Sequence, residues 1–230
     1  MKLPIILFVV FLGAACSRSP QVQVDDDGRS APAASGPATV ELCGHTWSTS
    51  NLDVVTYRNG DAIPQVTDPA AWLKLTTGAW CWYNNDSAAY HHYGRLYNWY
   101  AVNDPRGLAP QGWHVLTDME WEAMEACLGE DSVGFRMRTA SSGQWPGPAT
   151  VIDNSSGFNG LPSGIRSDGG VFSHGGSSAV YWTSVEGSVS EAWCGRLIHY
   201  ADLQGVPAMM TGVGYMNKSD GYTVRCVKDR

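Results

Sequence analysis

Charge is sparse in this chain, and positive charge is concentrated nowhere. Only 16% of its 230 residues are charged, and Asp and Glu outnumber Lys and Arg by 22 to 15, for a net charge of −7. With a pI near 5.2 and no basic stripe, the chain lacks the electrostatic footprint that a polyphosphate backbone demands, which argues against nucleic acid as a partner. Its scattered Lys and Arg residues argue equally against adsorption to an anionic membrane surface. Long apolar runs are missing too. The longest, Leu3 to Leu12, falls short of the roughly 20 residues that a spanning helix needs.

Several catalytic signatures are also absent. No nucleophile elbow, phosphate-binding glycine loop or dinucleotide fingerprint appears, nor any spaced Ser/His/Asp arrangement. No two cysteines stand within three residues of each other, so neither a redox pair nor a zinc knuckle is indicated. His91-His92 is the one histidine cluster; read as part of a strand, the two would point to opposite faces. His114 reads as a structural histidine beside a helix start. No internal repeat of fixed period is visible.

What the chain has in quantity is Trp, Tyr and Gly: ten, ten and 26. Such a composition suits aromatic cores built from short strands and long loops. The length supports one good core, or at most two small ones. The clearest local signal is Gly112-Trp113-His114-Val115-Leu116-Thr117-Asp118-Met119-Glu120-Trp121. Thr117 with Glu120 three residues on is a capping box, and Asp118 and Glu120 place negative charge in a first helical turn, where the helix dipole favours it. Trp121, Met124 and Leu128 recur at helical spacing, and Gly129 suits the helix end. Gly112 to Val115 reads as a short buried strand entering the cap.

The N-terminus is a targeting segment. Met1-Lys2, the apolar run and Gly13-Ala14-Ala15 form a signal peptide over residues 1–15. Cys16 directly after it resembles the bacterial lipobox, although Leu12 sits one position early. The resemblance implies that Cys16 is lipidated and tethers the protein to the membrane of a bacterial envelope, at the outer membrane or cell surface. An ordinary secretory cleavage near the same place is the alternative. Either way the protein is exported, where disulfides are permitted. Residues 16–39, with Asp25, Asp26 and Asp27 and an Ala/Pro/Ser-rich stretch, form a flexible linker. A single domain is expected over 40–230.

Within it, Val40 to Cys43 alternates like an edge strand, Asn59-Gly60 is a hairpin-type turn, and Asp68-Pro69 opens a short helix. Ala79 to Tyr83 reads as a strand, Leu96 to Val102 as a helix, Glu191 to Leu197 as a strand, and Tyr222, Val224 and Cys226 as one face of a closing strand. Helices early and strands late indicate an α+β domain.

Asn51-Leu52-Asp53-Val54, Leu75 to Asp86, Gly94 to Val102, the capped corner and Gly221-Tyr222-Thr223-Val224-Arg225-Cys226-Val227 together resemble the Fibrobacter succinogenes major paralogous domain, in order, from about Val40 to Asp229. That family is found in exported bacterial proteins, often lipoproteins, and implies no enzymatic activity. The Gly-Trp-His-x-x-Thr-Asp-x-Glu-Trp corner and the closing Arg-Cys strand are more loosely similar to formylglycine-generating enzymes. This second resemblance implies a C-type-lectin-like architecture, in which the terminal strands pair, two or three short helices flank small antiparallel sheets, and long loops cover one end. Trp113, Thr117, Asp118, Glu120, Trp121 and Arg225 are then the fold-defining residues. Leu116 departs from the family pattern, standing where proline is usual, and Cys194 is an extra cysteine.

With Cys16 set aside, Cys43, Cys81, Cys127, Cys194 and Cys226 remain as disulfide candidates. Cys43 and Cys127 suit a bridge from the first strand to the end of the capped helix, while Cys81, Cys194 and Cys226 compete for a second. A reduced, accessible Cys194–Cys226 pair beside a cleft would point instead to an oxidase related to the formylglycine-generating enzymes. Asn84, Asn85 and Asp86 offer hard oxygens to calcium, though a capped turn accounts for them equally; no other cofactor or metal is indicated. Trp145, Tyr181, Trp182, Trp193 and Tyr215 are the aromatic candidates for stacking on a ligand such as a glycan. The function expected is non-catalytic binding or adhesion to a glycan or a surface protein, with a purely structural envelope protein as a further alternative. The site is expected in loops between about Ser141 and Tyr215.

Overall fold

The computed structural model describes residues 37–129, 133–140, 144–146, 153–201 and 207–230. The expected signal peptide, Cys16 and the linker through residue 36 lie outside them, as does most of the loop at 141–150. Five short helices and twelve strands follow in chain order: β1 (Thr39–Leu42), β2 (His45–Ser48), α1 (Pro69–Trp72), β3 (Trp80–Cys81), α2 (Ser87–Tyr90), β4 (Leu96–Tyr97), α3 (Trp99–Val102), β5 (Trp113–Val115), α4 (Asp118–Leu128), α5 (Val133–Met137), β6 (Ser163–Arg166), β7 (Phe172–Gly175), β8 (Ser178–Glu186), β9 (Glu191–Ala201), β10 (Pro207–Asn217), β11 (Thr223–Val224) and β12 (Cys226–Lys228). The domain is α+β, dominated by sheet. Among the described residues, no helix is long and apolar enough to cross a membrane.

One four-stranded sheet runs β1-β2-β12-β5, so strands from the two ends of the domain pair: Val227 lies opposite Trp47, and Cys226 opposite Val115. A six-stranded sheet runs β10-β9-β8-β6-β7, with β11 beside β8. Its longest pairing is the antiparallel pair β9–β10 at one edge. Side chains alternate along these strands. One face carries Ala179, Tyr181 and Leu197 into a cluster with Trp121, Met124, Leu128 and Phe158. The other carries Val180, Trp182 and Cys194 into a cluster with Tyr97, Trp99, Trp113 and Tyr222. The sheet is therefore covered on both faces by aromatic residues.

The capped helix forms as its sequence demands. Thr117 Oγ1 accepts from Glu120 N at 3.1 Å, and Glu120 Oε2 accepts from Thr117 N at 2.8 Å. The helix ends at Gly129, whose positive φ of 87° suits a residue without Cβ. Leu116, at the position where proline is the expected family residue, donates its N–H to Arg225 O at 3.2 Å, a bond that proline could not make. Cys43 and Cys127 are disulfide-bonded, tying the first hairpin to the end of α4.

Three sequence expectations change. The helix expected over Leu96–Val102 is split: Leu96–Tyr97 pairs as β4, and only Trp99–Val102 is helical. Asn98 sits at the boundary because its Oδ1 caps Ala101 N at 3.1 Å and also accepts from Ala79 N at 2.9 Å. His91-His92 belongs to a 3-10 turn rather than a strand. The closing strand is interrupted at Arg225, where the chain passes from one sheet to the other.

Candidate functional site

The structure separates the five aromatic candidates. Trp145, Tyr181 and Trp182 are buried in the core, so they present no exposed ring to a ligand; their apolar surface is consumed by packing. Trp193 and Tyr215 stand apart. They are directly opposite each other on β9 and β10, with ring centroids 3.9 Å apart and planes inclined by 40°. Trp193 is half-buried and Tyr215 is 51% exposed. The pair lies on strands, not in the loops where a site was expected.

Local structure explains the exposure. Gly187 faces Tyr215 so closely that a Cβ there would meet the ring at 2.4 Å, so the side chain is supported from beneath by bare backbone. The turn from β8 to β9 is tight, with Gly187 and Ser188 both donating to Glu191 O. Lys218 clamps it, its Nζ reaching Glu186 and, at 3.0 Å, Val189 O. The Lys218 ammonium also lies 4.8 Å from the Trp99 ring centroid. Held in this way, Val189 is 94% exposed. Exposed Glu191 precedes Trp193 by two residues and so points to the same side of the strand. The result is a fixed aromatic platform edged by an apolar tip and a carboxylate. Such a surface stacks on a flat apolar face and accepts hydrogen bonds at its margin. The sequence did not single out Val189, Glu191 or Lys218; Glu191 shares the Trp193 side of β9, whereas Lys218 secures the turn from the Trp99 side of the sheet.

Other candidates are structural. Asp86 Oδ1 caps α2 by accepting from Ala89 N at 3.0 Å, Asn85 donates to Thr67 O at 3.1 Å, and Asn84 and Asn85 take left-handed backbone. The trio is the capped turn. Arg225 is wholly buried. Its Nε donates to Asn51 Oδ1 at 2.7 Å, its Nη1 to Ser48 O and Phe158 O at 2.7 and 2.9 Å, and its Nη2 to Asn159 O at 3.0 Å. One side chain thus pins two loops to the sheet crossing. Arg166, which sequence reasoning passed over, does the same toward Val66 O and Thr67 O at 2.6 and 2.9 Å.

His114 bridges Asp229 at 2.8 Å and Glu120 at 2.9 Å, with His45 at 3.6 Å from the same Glu120 oxygen. Burial opposes its protonation, but these hydrogen bonds and charges outweigh it and the pKa is raised. Glu120 is likewise opposed by burial, yet the Thr117 N–H and His114 hold its carboxyl below the usual range.

No second disulfide forms among the described residues. Cys81, Cys194 and Cys226 are free and buried. Burial pushes the Cys81 thiol up to about 11 and the Cys194 and Cys226 thiols up to about 12, so all three are protonated and poorly nucleophilic near neutrality.

The profile of the Fibrobacter succinogenes major domain matches residues 40–228. The chain belongs to this family. The match spans the domain from β1 to the last strand, and so contains the capped corner, the Arg225 anchor and the Trp193–Tyr215 platform alike. No curated protein and no solved structure matches the chain.

Proposed function

We propose that this member of the Fibrobacter succinogenes major domain family is an exported, non-catalytic binding module, held at the bacterial envelope by a lipid on Cys16 and adhering through its aromatic platform. The observation that carries the reading is the Trp193–Tyr215 pair, exposed and rigidly backed on a sheet. Two rings preordered by strand pairing lose little conformational freedom on binding. Their chemistry fits the apolar face of a pyranose ring in a surface glycan, with Glu191 available to hydroxyls; an apolar patch on a surface protein is the second target class. Calcium is not needed for this reading, and Asp86 Oδ1 already accepts from Ala89 N as the cap of α2.

A C-type-lectin-like architecture is the finer fold reading. The pairing of β2 with β12, with α4 packed across the second sheet, supports it. The oxidase reading requires an accessible Cys194–Cys226 pair, whereas both thiols are enclosed.

The test is a glycan array probed with the chain carrying Cys16→Ser, with and without calcium. Binding to a defined glycan, lost at least tenfold in Trp193→Ala and Tyr215→Ala, is the expected outcome. Absence of binding to every glycan in both conditions eliminates the lectin version. The same Cys16→Ser chain is expected in the soluble fraction; continued attachment to membrane eliminates the lipid anchor.

A further inference from the structure

Arg225 and Arg166 show how this fold treats a buried guanidinium. Arg225 donates to three backbone carbonyls and one amide oxygen. Arg166 donates to the carbonyls of Val66, Thr67 and Gly170. Arg196, half-buried on β9, departs from that pattern. Its Nη2 donates to Val213 O at 2.9 Å, but its Nε is buried without an acceptor among the described residues. No carboxylate among those residues forms an ion pair with it. A cation held partly out of water, with no counter-charge and an unsatisfied donor, is unfavourable by itself.

The neighbouring strand seats this side chain. A Cβ on Gly214 of β10 would stand 2.8 Å from Arg196 Nη2, so the guanidinium lies across bare backbone. Directly opposite Arg196 is Gly212, where a Cβ would meet nothing within 4 Å. The sheet is hollow here. Ile165, Val180, Ile198, Met216 and Tyr222 line, together with Arg196, a cleft of about 160 Å³. Val180 lies opposite Arg196, and Ser178, whose hydroxyl adds to the lining, lies opposite Ile198. These four walls therefore rise from one face of the sheet. Val180 and Tyr222 are buried, whereas Ile165, Ile198 and Met216 keep part of their surface open. The Tyr222 hydroxyl is already committed, donating to Asp220 Oδ2 at 2.8 Å. Arg196 is the one Lys or Arg on the lining.

We propose that this cleft binds a small organic acid, with an apolar body of about the size of benzene and one carboxylate that meets Arg196. The walls and the volume set the body, since an apolar cavity of roughly 150 Å³ admits benzene. A few polar groups converging in a mostly apolar hollow is the usual make-up of a small-molecule site. The unpaired guanidinium sets the head group, because its planar donors match a carboxylate. One positive charge balances one negative charge, while a dianion would leave a charge uncompensated in a partly buried place. Trp193 is three positions from Arg196 and so faces the other side of β9. The cleft is thus separate from the Trp193–Tyr215 platform, and either can fail without the other.

Methyl NMR titration of the full chain carrying Cys16→Ser tests this, with benzoate, benzyl alcohol and acetate as probes at fixed pH and ionic strength. Benzoate is expected to shift the methyls of Ile165, Val180, Ile198 and Met216 saturably. It is expected to bind about tenfold or more tighter than benzyl alcohol, which lacks the charge, and than acetate, which lacks the body. Arg196→Met is expected to weaken benzoate by about tenfold or more and to leave benzyl alcohol unchanged. The site is overturned by no saturable shift, by shifts confined to other methyls, or by benzyl alcohol or acetate binding as tightly as benzoate. Benzoate binding undiminished in Arg196→Met overturns it equally. Should that variant fail to fold, the ranking of the three probes and the map of shifted methyls in the unsubstituted domain decide.

Discussion

The indole of Trp121 rests directly on Gly195. A Cβ at that glycine would stand 2.3 Å from Trp121 Cδ2, so the central helix can approach the sheet only because β9 carries no side chain there. Gly195→Ala is therefore expected to overpack the core and destabilise the domain by about 1–3 kcal/mol, read as a fall in the denaturant midpoint. Trp121→Ala, which empties the same contact, is expected to cost about 3–5 kcal/mol. A neutral Gly195→Ala would show that α4 does not pack as described.

Arg225 is expected to resist conservative exchange. Arg225→Lys keeps the charge but loses the fork, leaving carbonyls among Ser48, Phe158 and Asn159 without their donor. A loss of about 3 kcal/mol or more is expected in chemical denaturation, since removing one partner strands buried polar groups. An Arg225→Lys domain as stable as the parent would remove this residue from the fold-defining set.

The disulfide closes a long loop, Cys43 and Cys127 being separated by 84 positions in the sequence. Reduction, or replacement of both cysteines by Ser, is expected to lower stability by about 4 kcal/mol on the chain-entropy account. The three remaining domain thiols are expected to resist alkylation in the folded chain and to react fully in denaturant, which mass spectrometry would count. Rapid native labelling of Cys194 or Cys226 would reopen the oxidase reading.

The His114–Glu120–Asp229 cluster carries a pH signature. His114 has a folded pKa above its ordinary 6.5, so its stabilisation is full below that value and is lost as pH rises through the folded pKa. Glu120 has a folded pKa below its ordinary 4.5, so its contribution is present above that value and is lost as pH falls through the folded pKa. Both act together between about pH 4.5 and 6.5. Tm against pH is expected to decline above this window in the parent and to flatten there in His114→Gln. High salt should weaken the effect, because the imidazole is partly exposed.

Much of the α4 corner was legible in the sequence because its determinants are local. A Thr and a Glu three residues apart satisfy each other's backbone donors whatever the rest of the chain does, and the spacing of Trp121, Met124 and Leu128 defines one helical face. The same locality let Asp68-Pro69 mark α1. It failed at Asn98, where a residue inside an apparently helical pattern bonds Ala79 across the fold and ends a strand instead.

The aromatic residues could not be sorted by sequence. Trp182 and Trp193 both lie in apolar, alternating segments, and nothing local distinguishes the buried ring from the exposed one. What decides is strand pairing: Trp182 faces a core that Tyr97 and Tyr222 complete, while Trp193 meets Tyr215, itself half-exposed. The cysteines behaved likewise. Their number set how many bridges were conceivable, but only the packing that encloses Cys81, Cys194 and Cys226 decided that one forms among the described residues. The sequence by itself thus determined the local caps, the family and the targeting expectation. Tertiary structure alone decided which rings face out and which charges lie buried, because burial depends on contacts between residues far apart in the chain.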